Sequence, residues 1–170
     1  MLQYSLRQID LDSFDFEKIL IWITDPEAMQ FVGFYKHTHQ FTTLDQARDF
    51  FSQLKDGVFF GIYVEDNLIG WSALSRFENQ TCEFGIFIGE KEYWGQGIGT
   101  SITKQVCRHA FKKLNIKKIF LTTAGKNLAG QKCYTKAGFQ VEAVIPGDRT
   151  IFLNGAWHTD STIRMAFVRL

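Results

Sequence analysis

No stretch of this chain approaches the roughly 18–20 consecutive apolar residues that a membrane-crossing helix requires, so no membrane partner is expected. An excess of one charge is also missing. Nineteen Lys+Arg against 18 Asp+Glu leave a formal net charge of +1, and no global field draws in nucleic acid or an anionic bilayer. The start, "MLQYSLRQIDLDSFDFEKI", lacks the basic-then-apolar order of a signal peptide. Cysteine is scarce: Cys82, Cys107 and Cys133 make neither a Cys-x-x-Cys pair nor an even disulfide set, which suggests a reducing, cytoplasmic setting. The four histidines show no zinc-like spacing, His37 and His39 being only two apart, and no metal is expected. Repeats, low-complexity tracts and linkers are absent, so residues 1–170 read as a single domain.

What is present suits a globular protein: 45% hydrophobic residues, 22% charged residues and 17 phenylalanines, most of which should be core. "YSLRQI" alternates like a strand; "SFDFEKILIWIT" reads as a helix with Ser13 as N-cap, and Asp25-Pro26 opens a further helical turn. "FYKHTHQFT" is irregular, and "TLDQARDFFSQLKDG" is a helix capped by Thr43 and stopped at Gly57. Three strand-like segments follow, "VFFGIYVED", "LIGWSALSRFE" and "TCEFGIFIG", joined by turns short enough for antiparallel hairpins. Apolar residues at Ile98, Ile102, Val106, Ala110 and Leu114 give the next helix one buried stripe. "KKIFLTT" is a strand, and "NLAGQKCYTKAG" is a short helix running from Asn127 as N-cap to Gly138 as C-cap. The last 32 residues read as a hairpin turning at Asn154-Gly155. The order is β-α-α-β-β-β-α-β-α-β-β, an α/β fold with a mixed, mostly antiparallel sheet and helices on both faces.

"YWGQGIGT", residues 93–100, stands between a strand and a helix. A helix N-terminus carries unpaired N–H groups and partial positive charge, and glycines let the backbone aim several of them at one phosphate. The P-loop pattern and the dinucleotide fingerprint G-x-G-x-x-G both fail here, the latter because its third glycine would fall at Ile102. The alternative is a turn that serves only close packing of helix on sheet. A second constellation lies one strand further on. Tyr134 follows Asn127 by seven residues, nearly two helical turns, so the two share a side. Alone, they would read as a cap and a buried ring. Together with the glycine turn, they can open on the same end of a parallel strand pair, where ligands gather in open α/β sheets.

Strand, "WGQGIG", helix, strand and then N-x-x-x-x-x-x-Y-x-K-x-G-F resembles the Gcn5-related N-acetyltransferase (GNAT) superfamily over about Thr81 to Phe139. The closing "FLNGAWHTDSTIRM" resembles the ends of bacterial members that acetylate ribosomal-protein N-termini or spermidine. The family's glycine signature, [RQ]-x-x-G-x-[GA], is met at Gly97 and Gly99, whereas Trp94 stands at its first position. The resemblance implies acetyl-coenzyme A as cosubstrate. Its pyrophosphate would lie on Gly95, Gln96, Gly97, Ile98, Gly99 and Thr100, its pantetheine arm beside Phe87 and Ile88, with Asn127 and Tyr134 completing the site. It also implies Tyr134 as the general acid that protonates the departing thiolate, against the alternative of a ring that packs and positions sulfur.

A base must take a proton from the amine. Glu83, a carboxylate in an apolar strand, is the candidate; the alternative is an ion pair with Arg76. Thr122 stands where some relatives carry a catalytic glutamate. Cys133 reads as a packing residue, not a nucleophile. For the acceptor, "FVGFYKHTHQ" offers Tyr35 and His37 on an aromatic, mildly basic segment without carboxylates, which suits a peptide N-terminus or amino sugar better than a polyamine. The expected activity is acetyl transfer to a primary amine by direct attack in a ternary complex, in a monomer or homodimer. The rival is a coenzyme-binding or partner-binding module that has lost catalysis.

Overall fold

The computed structural model describes residues 3–54 and 56–169. Its elements are β1 (Tyr4–Ile9), α1 (Phe16–Thr24), α2 (Tyr35–Thr38), α3 (Leu44–Ser52), β2 (Val58–Val64), β3 (Asn67–Glu78), β4 (Thr81–Ile88), α4 (Ile98–Lys113), β5 (Lys118–Ala124), α5 (Leu128–Ala137), β6 (Gln140–Leu153) and β7 (Ala156–Val168). Short 3-10 turns at Leu11–Ser13 and Lys91–Tyr93 precede α1 and the glycine segment. Seven strands form one sheet in the order β1-β2-β3-β4-β5-β7-β6. All neighbours are antiparallel except β4 and β5.

Local chemistry accounts for most boundaries. Thr43 and Gln46 form a reciprocal capping box at α3. Asn127 accepts from the Gly130 amide at the start of α5, and Gly138 ends that helix in the left-handed region at φ 118°. Asn79 and Gln80 turn β3 into β4 with φ of 47° and 62°, and Asn154-Gly155 joins β6 to β7 with φ of 54° and 80°. Both pairs have the positive φ values that tight hairpin turns need.

Three expectations shift. The N-cap of α1 is Asp15, whose carboxylate accepts from the Lys18 amide, because Leu11–Ser13 is already taken up by a 3-10 turn. The Asp25-Pro26 segment makes successive turns instead of a regular helix. Asp25 Oδ1 accepts from the amides of Glu27 and Ala28 at 2.8 and 3.0 Å and so stands in for helical acceptors. Finally, "FYKHTHQFT" is not irregular throughout, since Tyr35–Thr38 forms a helical turn.

The sheet separates two cores. Ile98, Ile102, Val106 and Ala110 of α4 pack with Phe84, Ile119, Leu121 and Phe139 on one side. On the other, Phe14, Phe16, Trp22, Tyr35, Phe51, Phe59, Trp71 and Phe87 build an aromatic layer under α1, α2 and α3. Alternation along β4 feeds both: Cys82 and Phe84 point to the first core and Phe87 to the second. The Trp71 and Phe87 rings lie 4.5 Å apart, and Phe51 meets Trp71 edge-on at 5.4 Å. Each such side chain contributes about 1.5–3 kcal/mol on burial. No helix among the described residues is long and apolar enough to cross a membrane.

Candidate active site

The parallel pair is short. β4 and β5 are in register only at Thr81–Lys118, Cys82–Ile119 and Glu83–Phe120, after which they part. β4 continues to Ile88 and β5 to Ala124, so their far ends leave a gap in the middle of the sheet. The amides of Gly89 and Glu90 both donate to the carbonyl of Ile69, on the β3 side. By alternation, the backbone of Ile88 faces the gap. Phe87 is the reverse case, with its ring buried in the aromatic core.

Helix α4 begins at the end of this gap. Gly95 and Gly97 have φ of 74° and 80°, and a Cβ on either would meet nothing within 4 Å. Their role is conformational: the left-handed backbone turns the chain into the helix with its surface left open. Gly97 is the N-cap and offers no side chain to the first amides, so Ile98, Gly99 and Thr100 begin the helix without a capping partner. Gly99 serves a different need, because a Cβ there would lie 3.4 Å from Cys133 Sγ. Two of the three glycines shape the turn, and the third lets α4 pack against α5. Gln96 is exposed, and its amide nitrogen donates to the Glu92 carbonyl at 2.6 Å. Trp94 donates from its indole nitrogen to the Ile88 carbonyl at 2.9 Å, closing the turn back onto the end of β4. These features fit a pyrophosphate at the helix mouth and an extended arm along the β4 edge.

Tyr134 follows Cys133 on α5, the helix that packs against α4 at Gly99. Its ring packs edge-on against Phe84, the first β4 residue beyond the paired segment, and against Phe139. Burial pushes the pKa of the phenol well up and Cys133 adds to the effect, while the nearby Arg149 acts against both. The hydroxyl therefore keeps its proton at neutral pH, and Arg149 favours the phenolate left once that proton is given. Asn127 forms no hydrogen bond with it. Asn127 caps α5 and donates from Nδ2 to Thr123 Oγ1 at 3.0 Å, fixing the β5–α5 corner.

Glu83 is paired as its alternative reading expected. Arg76 Nη1 stands 3.2 Å from Glu83 Oε2, the glutamate side chain being 21% exposed and the arginine 76%. Arg76 adopts φ 51° at an irregularity in β3. A pair this exposed on one side leaves the second carboxylate oxygen free to work through water.

The acceptor segment is arranged differently from expectation. Tyr35 is 5% exposed and lies in a cluster with His39, Phe152 and Trp157, each ring centre 5.7 Å away. It is a core residue, because its neighbours come from the β6–β7 hairpin that folds over α2. His37 is exposed and does not line the nearby cavity; Lys36 does. That cavity, of about 240 Å³, is bounded by Gly33, Lys36, Thr122, Asp148, Arg149, Thr150 and Thr162.

Arg149 escaped the sequence reading. Its Nη2 donates to Thr122 Oγ1 at 3.0 Å and its Nη1 to the Phe31 carbonyl at 3.4 Å. Burial draws its pKa down while Asp148, Asp160, Tyr134 and Glu83 pull it up, which places Arg149 within electrostatic reach of both predicted catalytic groups. Asp160 and His158 serve structure: Asp160 Oδ2 accepts from the Lys126 amide, and His158 Nε2 lies 3.1 Å from the Leu153 carbonyl.

The family profile described as acetyltransferase (GNAT) domain matches residues 4–140. A probable N-acetyltransferase of Bacillus subtilis (strain 168), YjcK, is 31% identical over 103 residues, covering 58% of this chain and 55% of that protein's length. A probable spermine N(1)-acetyltransferase of Bacillus subtilis subsp. natto is 21% identical over 128 residues, covering 69% of this chain and 84% of that protein. Among solved structures, spermidine N-acetyltransferase from Vibrio cholerae in complex with CoA and spermine superposes with a TM-score of 0.80 at 22% identity, over 98% of this chain and 95% of that one. A chimera of the same Vibrio cholerae enzyme, SpeG, with hSSAT gives 0.78 at 22% identity, with the same coverage. The parted parallel strands, the open glycine turn and the profile match agree, and the chain belongs to the GNAT acetyltransferase family.

Proposed function

We propose that this protein transfers the acetyl group of acetyl-coenzyme A to the primary amine of a small molecule or peptide, within a ternary complex. The observation that carries the reading is the gap between β4 and β5, with the uncapped N-terminus of α4 at its mouth and the protonated Tyr134 beside it. The amides of Ile98, Gly99 and Thr100 would take the pyrophosphate, with Gly95, Gln96 and Gly97 shaping the turn, and the backbone of Ile88 would pair with the pantetheine arm.

The amine nitrogen attacks the thioester carbonyl, whose oxygen gathers charge that an amide on the open β4 edge can hold. The C–S bond then breaks, and Tyr134 gives its proton to the departing sulfur. The surplus proton of the amine passes to Glu83 through water, and the phenol is reprotonated from solvent. Direct attack is also favoured by the state of the thiols. Burial pushes Cys82 up to about 12 and Cys107 higher still, while Cys133 packs against Gly99 and Thr103. The free cysteines suit a reducing, cytoplasmic setting.

Thiol release in an acceptor screen tests the proposal, using N-terminal peptides, amino sugars, amino acids and polyamines. Acetylated product with at least one class is expected. Coenzyme binding without transfer to any of them would instead mark a module that has lost catalysis.

A further inference from the structure

The cavity beside the catalytic cleft carries the wrong charge for a polycation. Arg149 enters it half-buried, and both its hydrogen bonds go to neutral oxygens, Thr122 Oγ1 and the Phe31 carbonyl. The two acids closest to it in the strands are engaged elsewhere. Asp148 Oδ2 accepts from Thr162 Oγ1 at 2.9 Å, and Asp160, the cross-strand partner of Arg149, accepts from the Lys126 amide. No described carboxylate forms an ion pair with the guanidinium. Across the cavity Lys36 adds a second cation, which makes no ion pair with a described residue. Asp148 and Asp160 act on the guanidinium through space without an ion-pair contact, so its remaining donors are open to an anion. Its planar fork matches carboxylate and phosphate oxygens.

We infer that the acceptor is an amine that carries its own anionic group, a carboxylate or a phosphate close to the amino nitrogen, held by Arg149 with Lys36. The inference rests on the acetyl-transfer reading above and narrows it. Arg149 is held by Thr122 on β5, one of the two strands that part to form the gap, so an anion bound there would place a neighbouring amine toward the thioester. A polyamine offers nothing to Arg149 and meets two cations. The single carboxylate lining the cavity, Asp148, is insufficient to reverse that balance.

Matched acceptors test this: glucosamine 6-phosphate against glucosamine, and an amino acid against its carboxamide, with spermidine as the polycation. The expected result is a kcat/KM at least about tenfold higher for the anionic member of a pair, the scale of a charge-assisted hydrogen bond. Which pair shows it distinguishes phosphate from carboxylate. Arg149→Gln should bring the ratio close to one, and Lys36→Met should lower it in part. Because the ratio compares two acceptors in one variant, a general loss of activity cancels. In parallel, calorimetry with saturating coenzyme A should detect inorganic phosphate binding that Arg149→Gln abolishes. Transfer to neutral amines or spermidine at equal or greater kcat/KM overturns the inference and leaves acetyl transfer standing. Arg149-dependent phosphate binding without transfer to any amine supports the anion site and overturns the enzymatic reading. Absence of both the acceptor preference and phosphate binding also overturns the inference.

Discussion

Trp94 hands its indole proton to the carbonyl of Ile88, six residues back, at 2.9 Å. The family signature carries Arg or Gln at this position, and here the indole instead ties the glycine turn to the strand edge along which the cosubstrate would lie. Trp94→Phe keeps the ring and removes the donor. We expect the fold to survive and KM for acetyl-coenzyme A to rise by up to about tenfold, the scale of one neutral hydrogen bond. Steady-state kinetics at saturating acceptor measures it, and an unchanged KM would show that the tie does not organise the site.

Gly97 should be intolerant for conformational reasons, since its φ of 80° is one that a β-branched residue avoids. In the wild-type protein, coenzyme A at a hundredfold excess over its Kd should stabilise the fold by about 2.7 kcal/mol. Gly97→Val should remove most of that gain in a thermal shift assay. A folded variant with an intact ligand-induced shift would dissociate the turn from phosphate binding.

For Tyr134, burial keeps the phenol protonated beyond the ordinary tyrosine range. Activity that needs its proton should persist as pH rises and decline only above about pH 10, where a model tyrosine ionises. Tyr134→Phe should lower kcat by about 10²–10⁴-fold, the usual worth of general-acid catalysis, with KM for the coenzyme retained. Glu83→Gln should act on the acidic limb of the rate profile instead. A kcat for Tyr134→Phe near that of the wild type, with chemistry rate-limiting, would assign the ring to packing.

Tyr35 and His37, neighbours on α2, should part company. Removing the buried Tyr35 ring by Tyr35→Ala should destabilise the fold by about 3–5 kcal/mol, in line with other large aromatic truncations. His37→Ala, on an exposed side chain, should change stability by no more than about 0.5 kcal/mol. Urea denaturation of both variants decides the matter, and equal midpoints would contradict the packing described for Tyr35.

Asp25 gives the fold an acid-sensitive tie. Burial raises its pKa, but hydrogen bonds from Lys91 and from the amides of Ala28 and Glu27 outweigh that and hold it below the ordinary value of 3.8. A lowered carboxylate contributes stability above its unfolded pKa and loses it as pH falls through the folded one. The melting temperature of Lys91→Met should therefore lie below that of the wild type near pH 6. The difference should begin to shrink below about pH 4, where the unfolded carboxyl takes up its proton, and close as pH falls through the lower folded value. A constant difference across that range would mean that Lys91 acts by packing alone.

Turns and caps were more legible in the sequence than packing between distant elements. Gly97, Asn127 and Gly138 act over a few residues, so the required backbone shows in the local string. The burial of Tyr35 has no local signal, because "GFYKH" shows no period and the rings that cover it, Phe152 and Trp157, arrive from the distant hairpin. Arg149 left no signal at all. It stands in "PGDRTIF", which has no clear period, and its partners Thr122 and Phe31 are 27 and 118 positions away. The ion pair of Glu83 with Arg76 was foreseeable because a single tight hairpin joins their strands.

The division of the sheet into an aliphatic layer under α4 and α5 and an aromatic layer under α1, α2 and α3 has a consequence for descent. In the proposed reading, the helix mouth that would receive the donor stands over the first layer, while the α2 and hairpin walls of the cavity rest on the second. Substitutions at separated, non-touching positions combine nearly independently. On that reading, substitutions at α2 and the hairpin that touch neither Phe87 nor Arg149 should alter the choice of amine with the helix mouth left undisturbed. Relatives should differ most in the residues around Lys36 and Arg149 and least around Gly97.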